Sequence, residues 1–313
     1  MSWLVVESPG LLTTVQDLGR AGFGTLGVSA SGAADPVALR LANLLVGNEP
    51  GAAALEMTLT GGSFLFPQGA VVALTGADLG ATLNGRVIEG WTPHAAPPGA
   101  RLALGPTKDF ARSYLAVAGG IRVKPFLGSA STHLLSGLGG FEGRALRKGD
   151  ALELGEPARK IRKKRISPDA LRGLAPSKTL RVTEGPQSEQ FPEAVRARLL
   201  QAVFRVSEES NRMGIRLEGP DLAIRGAGEM ITEGVCLGAI QVTPSGQPII
   251  LSVEQQTTGG YPKIANVIGV DIHRLGQLRP RDEIRFERVS FSEARSLWIE
   301  QERLLSNPER LFA

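Results

Sequence analysis

"GFGTLG", residues 22–27, matches the G-x-G-x-x-G pattern that joins a strand to a helix in dinucleotide-binding proteins. If the match is real the fold is a doubly wound α/β sheet; if it is not, the glycines serve a loop. The pattern works only when a strand runs into the glycines and a helix leaves them at once, because the pyrophosphate rests on that helix's N-terminus. Upstream, "TTVQDLGRA" (13–21) carries charge and turn residues where a buried parallel strand shows a continuous apolar run. Downstream, "VSASGAAD" (28–35) is small and loop-forming, so a helix starts only near Asp35. No strand with an acidic tip follows about twenty residues on. The glycines therefore read as a loop that needs positive φ or close backbone approach.

Working outward, the chain reads as many short strands. "WLVVES", "AVVALTG", "GRVIEGW", "ARLALG", "SYLAVAG", "DALELG", "TLRVTEG", "FRVSEES", "GAIQVTP", "QPIILSVE" and "DEIRFE" are strand-like, most of them bounded by Gly, Pro, Asp or Asn. Helices are few. "DPVALRLANLLVGN" offers Asp35 as cap, Pro36 at the first turn, an apolar face of Val37, Leu41, Leu44 and Leu45, and Gly47 as stop. "PEAVRARLLQAVF" sets Val195, Leu199 and Val203 on one stripe, and "SFSE" (290–293) is a capping box opening a final helix with Leu297, Trp298, Leu304 and Leu305. Two pairs of segments echo each other: "TLTGGSFLF" (58–66) with "RLEGPDLAI" (216–224), and "LRKGDALEL" (146–154) with "LRPRDEIRF" (278–286). The echo suggests two related β-rich domains. We place them at 1–156 and 179–313, joined by a basic, proline-containing linker at 157–178.

Composition narrows the function. Hydrophobic content is 42% with no apolar run of about eighteen residues, so a membrane-spanning helix is not expected. "MSWLVVESPG" lacks the basic start and apolar core of a signal peptide, and a single cysteine cannot form an internal disulfide; both favour a cytoplasmic protein. Cys236, in the apolar context "EGVCLGAI", is expected to be a buried, inert thiol. Much of the +4 net charge lies in "RKIRKKR" (159–165), which has no interleaved aromatics and reads as solvated linker, not a nucleic-acid site. His94, His133 and His273 are scattered, so no zinc is expected, and "GLAPSKT" is not a Walker loop.

The densest chemistry lies in "QQTTGGYPK" (255–263): two amides, two hydroxyls, a glycine pair, a phenol and an ammonium. Such a set can bind a planar amide, urea or carboxylate, with Lys263 for negative charge and Tyr261 as a proton donor; it can equally be a tight connection between strands. In "STHLLSGLGGFEGRAL" (131–146) the glycines could bring backbone amides to an anion, or form a floppy loop. In "EESNRMGIRLEGP" (208–220), Arg212 could grip a carboxylate or make a surface ion pair.

Five blocks carry a family resemblance: "TVQDLGRAGFGTLGVSASGAADPVALRLANLLVGN", "LEMTLTGG", "STHLLSGLGGFEGRALRKGD", "SNRMGIRLEGP" and "EGVCLGAIQVTPSGQPIILSVEQQTTGGYPKIANVIG". Together, and in order from about residue 3 to 288, they resemble the allophanate hydrolase subunit 2, or biotin-dependent carboxyltransferase, family. That family includes the C subunit of 5-oxoprolinase and Kip-antagonist proteins. The resemblance implies a mainly β fold of two cyclophilin-like β-barrel domains in tandem with a few short helices. It implies one of three functions. The first is a subunit of an ATP-dependent 5-oxoprolinase complex, acting with A-type and Kip-inhibitor-like B-type partner subunits on a lactam. The second is the carboxyltransferase subunit of a urea or amide carboxylase, with biotin on a separate carrier. The third is a non-catalytic regulator of a Kip-inhibitor-like protein. A free-standing chain of this size looks most like the first, with no cofactor of its own and ATP used by the complex.

Carried over by matching blocks, the candidate catalytic residues are Lys263, Tyr261 and Glu254. The candidate substrate contacts are Gln256, Thr257, Thr258, Arg20, Ser31, Asn211 and Arg212. The chain departs from the family pattern at Ser29 and Ala34, where proline and methionine are usual, and at Leu135, where arginine is common. Glu254 stands where the family has an aspartate nearby, one methylene longer than the usual carboxylate.

Overall fold

The computed structural model describes residues 1–157, 164–224 and 230–313. Residues 159–163 of the basic run lie outside them. The fold is mainly β, with six α-helices among the described residues. Its two units are not continuous in sequence: one comprises 1–20, 31–175 and 307–313, the other 21–30 and 176–306. The 157–178 segment expected to be a linker contains a short helix, Pro168–Gly173, that belongs with the first unit. The segment 307–313 joins that unit through backbone bonds from Ser167 N to Leu311 O and from Ala313 N to Arg165 O, both 2.9 Å.

In the first unit a seven-stranded and a five-stranded sheet enclose one core. Leu4, Val6, Phe64, Phe66, Leu102 and Leu152 alternate inward from the first sheet, while Leu55, Met57, Val72, Leu74 and Leu115 come from the second. The helix Pro36–Leu45 forms as its sequence dictates: the Asp35 side chain accepts from Ala38 N at 2.8 Å, and Gly47 takes φ +77° after its end. Buried Glu56 secures the residues before the helix, accepting from Ala34 N at 2.9 Å and from the Tyr114 hydroxyl at 2.7 Å. Burial, then the Glu56 charge, holds the Tyr114 phenol well above its ordinary pKa.

The second unit is a closed seven-stranded barrel. Strands Thr179–Glu184, Lys263–Val267, Ala239–Val242, Pro248–Leu251, Gly214–Glu218, Phe204–Val206 and Glu283–Arg288 follow one another round it. A parallel pairing of Glu283–Arg288 with Thr179–Glu184 closes the ring, and every other pairing in it is antiparallel. The helix Glu193–Gln201 buries Val195 and Leu199; Val203 falls beyond its end. The Ser290–Glu293 capping box opens the helix Phe291–Leu305, which buries Leu305 but leaves Trp298 exposed.

The glycines of 22–27 do sit in a loop. Residues 24–26 form a single 3-10 turn, Gly22 and Gly27 have φ +92° and +75°, and the next helix begins nine residues after Gly27. The upstream flank needs correction, because "LTTVQ" (12–16) is a strand after all. It is antiparallel, pairs with Ala54–Thr58, and its buried Thr13, Thr14 and Gln16 are held by hydrogen bonds in place of apolar contact.

The second echo is a repeated turn. In 147–150 the Asp150 carboxylate accepts from Arg147 N at 2.7 Å; in 279–282 the Asp282 carboxylate accepts from Arg279 N at 2.9 Å. Gly149 N donates to Val6 O and Val6 N to Asp150 O, just as Arg281 N donates to Val206 O and Val206 N to Asp282 O. Both third positions have positive φ, +93° at Gly149 and +72° at Arg281. The first echo is only partial, since a strand follows at Ser63–Phe66 but none at 221–224.

Candidate functional site

The second unit gathers the loop 255–263 with residues far from it in sequence. Lys263 opens the strand Lys263–Val267, where a bulge against Ile240 and Gln241 sets it opposite Gln241. It is 2% exposed. Its backbone N–H donates to Gln187 Oε1 at 3.1 Å, and Gln187 Nε2 donates to Glu233 Oε1 at 2.8 Å. Glu233 Oε1 lies 2.5 Å from Lys263 Nζ, closing a ring of three residues. That approach is a close ion pair, and the buried Nζ has no other partner among the described residues. Lys263 first, and Gln187 second, hold the Glu233 carboxyl below its ordinary value.

Amides surround this ring. Gln241, also buried, donates from Nε2 to Tyr261 O at 3.4 Å and accepts from Gln256 Nε2 at 3.3 Å. A Cβ on Gly259 would lie 2.5 Å from Gln241 Nε2, so a side chain there would displace that amide. Thr258 and Gly259 pair with Gly234 and Glu233 as a two-stranded ribbon, and Thr257 O accepts from Val235 N at 3.1 Å. Tyr261 is 42% exposed, and the buried Oε1 of Gln255 has no partner among the described residues.

Arg212 and Glu254 meet each other: Nε to Oε1 is 2.5 Å, both residues are buried, and Glu254 N donates to Arg212 O. Arg212 thus grips a carboxylate, that of Glu254, and the pair is buried, not at the surface. Asn211 is exposed and turns its Oδ1 back on Met213 N at 2.8 Å. Cys236 is corrected too: it is exposed, not buried, because the peptide carrying it borders the ribbon, and its Sγ donates to Asn266 Oδ1 at 3.1 Å. Desolvation of the sulfur nevertheless raises the thiol pKa, which leaves it a poor nucleophile at neutral pH.

Arg20 and Ser31 belong to the first unit. Arg20 is buried over the Phe126 ring and donates to Ser131 O and Phe126 O; Ser31 Oγ donates to Thr132 O at 2.8 Å. Beside them Asp17 accepts from Gly19 N, Ser129 Oγ, Ser131 Oγ and Ala130 N, at 2.5 to 2.7 Å. The glycines of 131–146 serve this packing: a Cβ on Gly139 or Gly140 would strike Ser131 O or Thr132 Oγ1. Among the described residues, no group of three His, Cys, Asp or Glu could hold a metal ion, and no helix is long and apolar enough to cross a membrane.

Sequence reasoning missed Glu233, Gln187, Gln241 and Asp17. Gln241 alone left a signal, as a polar side chain inside the strand-like run "GAIQVTP".

A mainly β chain with a closed barrel is not a nucleotide-binding α/β fold. More particularly, it belongs to the carboxyltransferase domain family, subdomains A and B, whose profile matches residues 26–288. It is 41% identical over 302 residues to the C subunit of 5-oxoprolinase from Escherichia coli K12, covering 96% of each chain. It is 35% identical over 313 residues to urea amidolyase of Saccharomyces cerevisiae, covering 93% of this chain but 17% of that protein. The crystal structure of Kluyveromyces lactis urea amidolyase superposes with a TM-score of 0.89 at 32% identity over 97% of this chain, which spans 20% of that chain's length.

Proposed function

We propose that this chain is a subunit of an ATP-dependent 5-oxoprolinase complex that opens 5-oxoproline to glutamate, and that it supplies part of the amide-binding site. The observation that carries the reading is the 96% mutual coverage with the C subunit of a 5-oxoprolinase, against the 17% of a urea amidolyase that the chain spans. In this reading the chain works in the cytoplasm with A-type and Kip-inhibitor-like B-type partner subunits, binds no cofactor itself, and relies on ATP used by the complex. The lactam C–N bond breaks, water supplies the hydroxyl at the carbonyl carbon, and the ring nitrogen gains a proton.

Gln256, Thr257 and Thr258 hydrogen-bond the lactam, Lys263 meets negative charge, and half-exposed Tyr261 hands a proton to the departing nitrogen. Glu254, engaged by Arg212, positions the loop it precedes. Arg20, Ser31 and Asn211 order their own loops. The second reading, a carboxyltransferase working with a biotinylated carrier, draws on the resemblance to urea amidolyase. The test is coexpression with the two partner-type subunits, following glutamate and ADP from 5-oxoproline with the chain, without it, and with Lys263→Ala. Glutamate that depends on the intact chain supports the first reading. No glutamate with folded partners, together with avidin-sensitive urea carboxylation, supports the second.

A further inference from the structure

The Lys263–Glu233 contact joins unlike partners. Lys263 is fixed at the start of a barrel strand and buried; Glu233 sits on a two-stranded ribbon, and its side chain is 44% exposed. A buried ammonium cannot be left without a counter-charge, whereas an exposed carboxylate loses little when it returns to water. The pair is therefore asymmetric: Glu233 can leave, but only if another anion arrives. Lys263 Nζ has no partner among the described residues other than Glu233, so an incoming acceptor meets N–H groups that no second protein atom engages. Gln187, which tethers Glu233 and receives the Lys263 backbone N–H, provides an amide donor beside the same position.

We propose that Lys263 Nζ and Gln187 Nε2 form a receptor for a ligand carboxylate, that Glu233 occupies this receptor as an internal stand-in, and that a substrate carrying a carboxylate beside a cyclic amide displaces it. This deepens the 5-oxoprolinase reading and rests on it for the identity of the substrate. A 5-oxoproline carboxylate balances Lys263 as Glu233 leaves, and its ring N–H matches an acceptor of the kind that Gln255 Oε1 presents on the same loop. Urea is neutral and offers no such exchange. The receptor thus selects acids over neutral amides.

The experiment is calorimetric titration of the full chain with 5-oxo-L-proline, its neutral carboxamide and urea, using wild type, Glu233→Gln, Glu233→Asp and Lys263→Met. Removing the internal competitor frees the receptor, so Glu233→Gln is expected to bind the acid about tenfold tighter than wild type, and the carboxamide within about twofold. Glu233→Asp, with shorter reach, falls between them, and Lys263→Met loses the preference for acid. Equal binding of acid and carboxamide by wild type overturns the exchange. So does a folded Glu233→Gln that binds the acid no tighter, or not at all. If neither Glu233 variant folds, the residue is structural and the exchange also falls. Acid preference without glutamate formation by the assembled complex retains the receptor and removes the 5-oxoprolinase reading; glutamate formation without acid preference does the reverse.

Discussion

Two polar clusters, Asp17 in the first unit and Lys263 in the second, are completed to different degrees. In the first, both oxygens of Asp17 are engaged by Gly19, Ser129, Ala130 and Ser131, and the Ser31 hydroxyl by a backbone carbonyl. In the second, the buried Lys263 ammonium has only the half-exposed Glu233 carboxylate for a partner, and the buried Oε1 of Gln255 has none among the described residues. Buried polar groups left unsatisfied cost stability. The saturated shell of Asp17 fixes its loop, whereas the Lys263 pair has one member, Glu233, that water can reach.

Substitutions should separate these two roles. The largest effect falls on turnover: Lys263→Met should lower glutamate formation by the assembled complex about a thousandfold, while the stability of the chain changes by less than about 1 kcal/mol. Glutamate formation within a few-fold of wild type removes Lys263 from the chemistry. Next, Arg212→Met strands a buried Glu254 carboxylate and should cost about 4 kcal/mol in urea unfolding, with Glu254→Leu on the same chain recovering most of it. Asp17→Ala should cost about 3 kcal/mol, because four donors lose one acceptor. Should it unfold like wild type, the saturated cluster is not what orders its loop.

Smaller effects come from the repeated turn. Gly149→Ala puts a Cβ at φ +93° and should cost about 1 kcal/mol in urea unfolding, whereas Arg281→Gly relieves φ +72° but gives up the exposed pair with Glu208, so it should leave stability within about 0.5 kcal/mol of wild type. Acid sensitivity is the finest probe. Arg144 holds the Asp150 carboxyl below its ordinary value. A carboxyl depressed in the folded state stabilises above its unfolded value and loses that contribution as pH falls, here from about pH 4 downward. Asp150→Asn should flatten that limb of the urea midpoint against pH; an unchanged limb means other carboxylates control it.

Much of the scaffold was legible in the sequence because it is local. Asp35, Pro36 and Gly47 bound their helix, the Ser290–Glu293 box starts another, and "AVVALTG" is a strand residue for residue. "LTTVQ" escaped because its burial is polar, and a reading tuned to apolar runs cannot see a strand held by hydrogen bonds. The loop 255–263 was visible as a concentration of donors, but its partners Glu233 and Gln187 lie 30 and 76 residues from Lys263 in the chain, and no periodicity links them.

The discontinuity of the first unit bears on synthesis. Residues 1–175 leave the ribosome before 307–313 exist, so the Ser167 N–H and the Arg165 carbonyl must wait for Leu311 and Ala313, roughly ten seconds at ordinary elongation rates. Throughout that interval the first unit lacks the last of its backbone partners, and it is complete only when the second unit has been made.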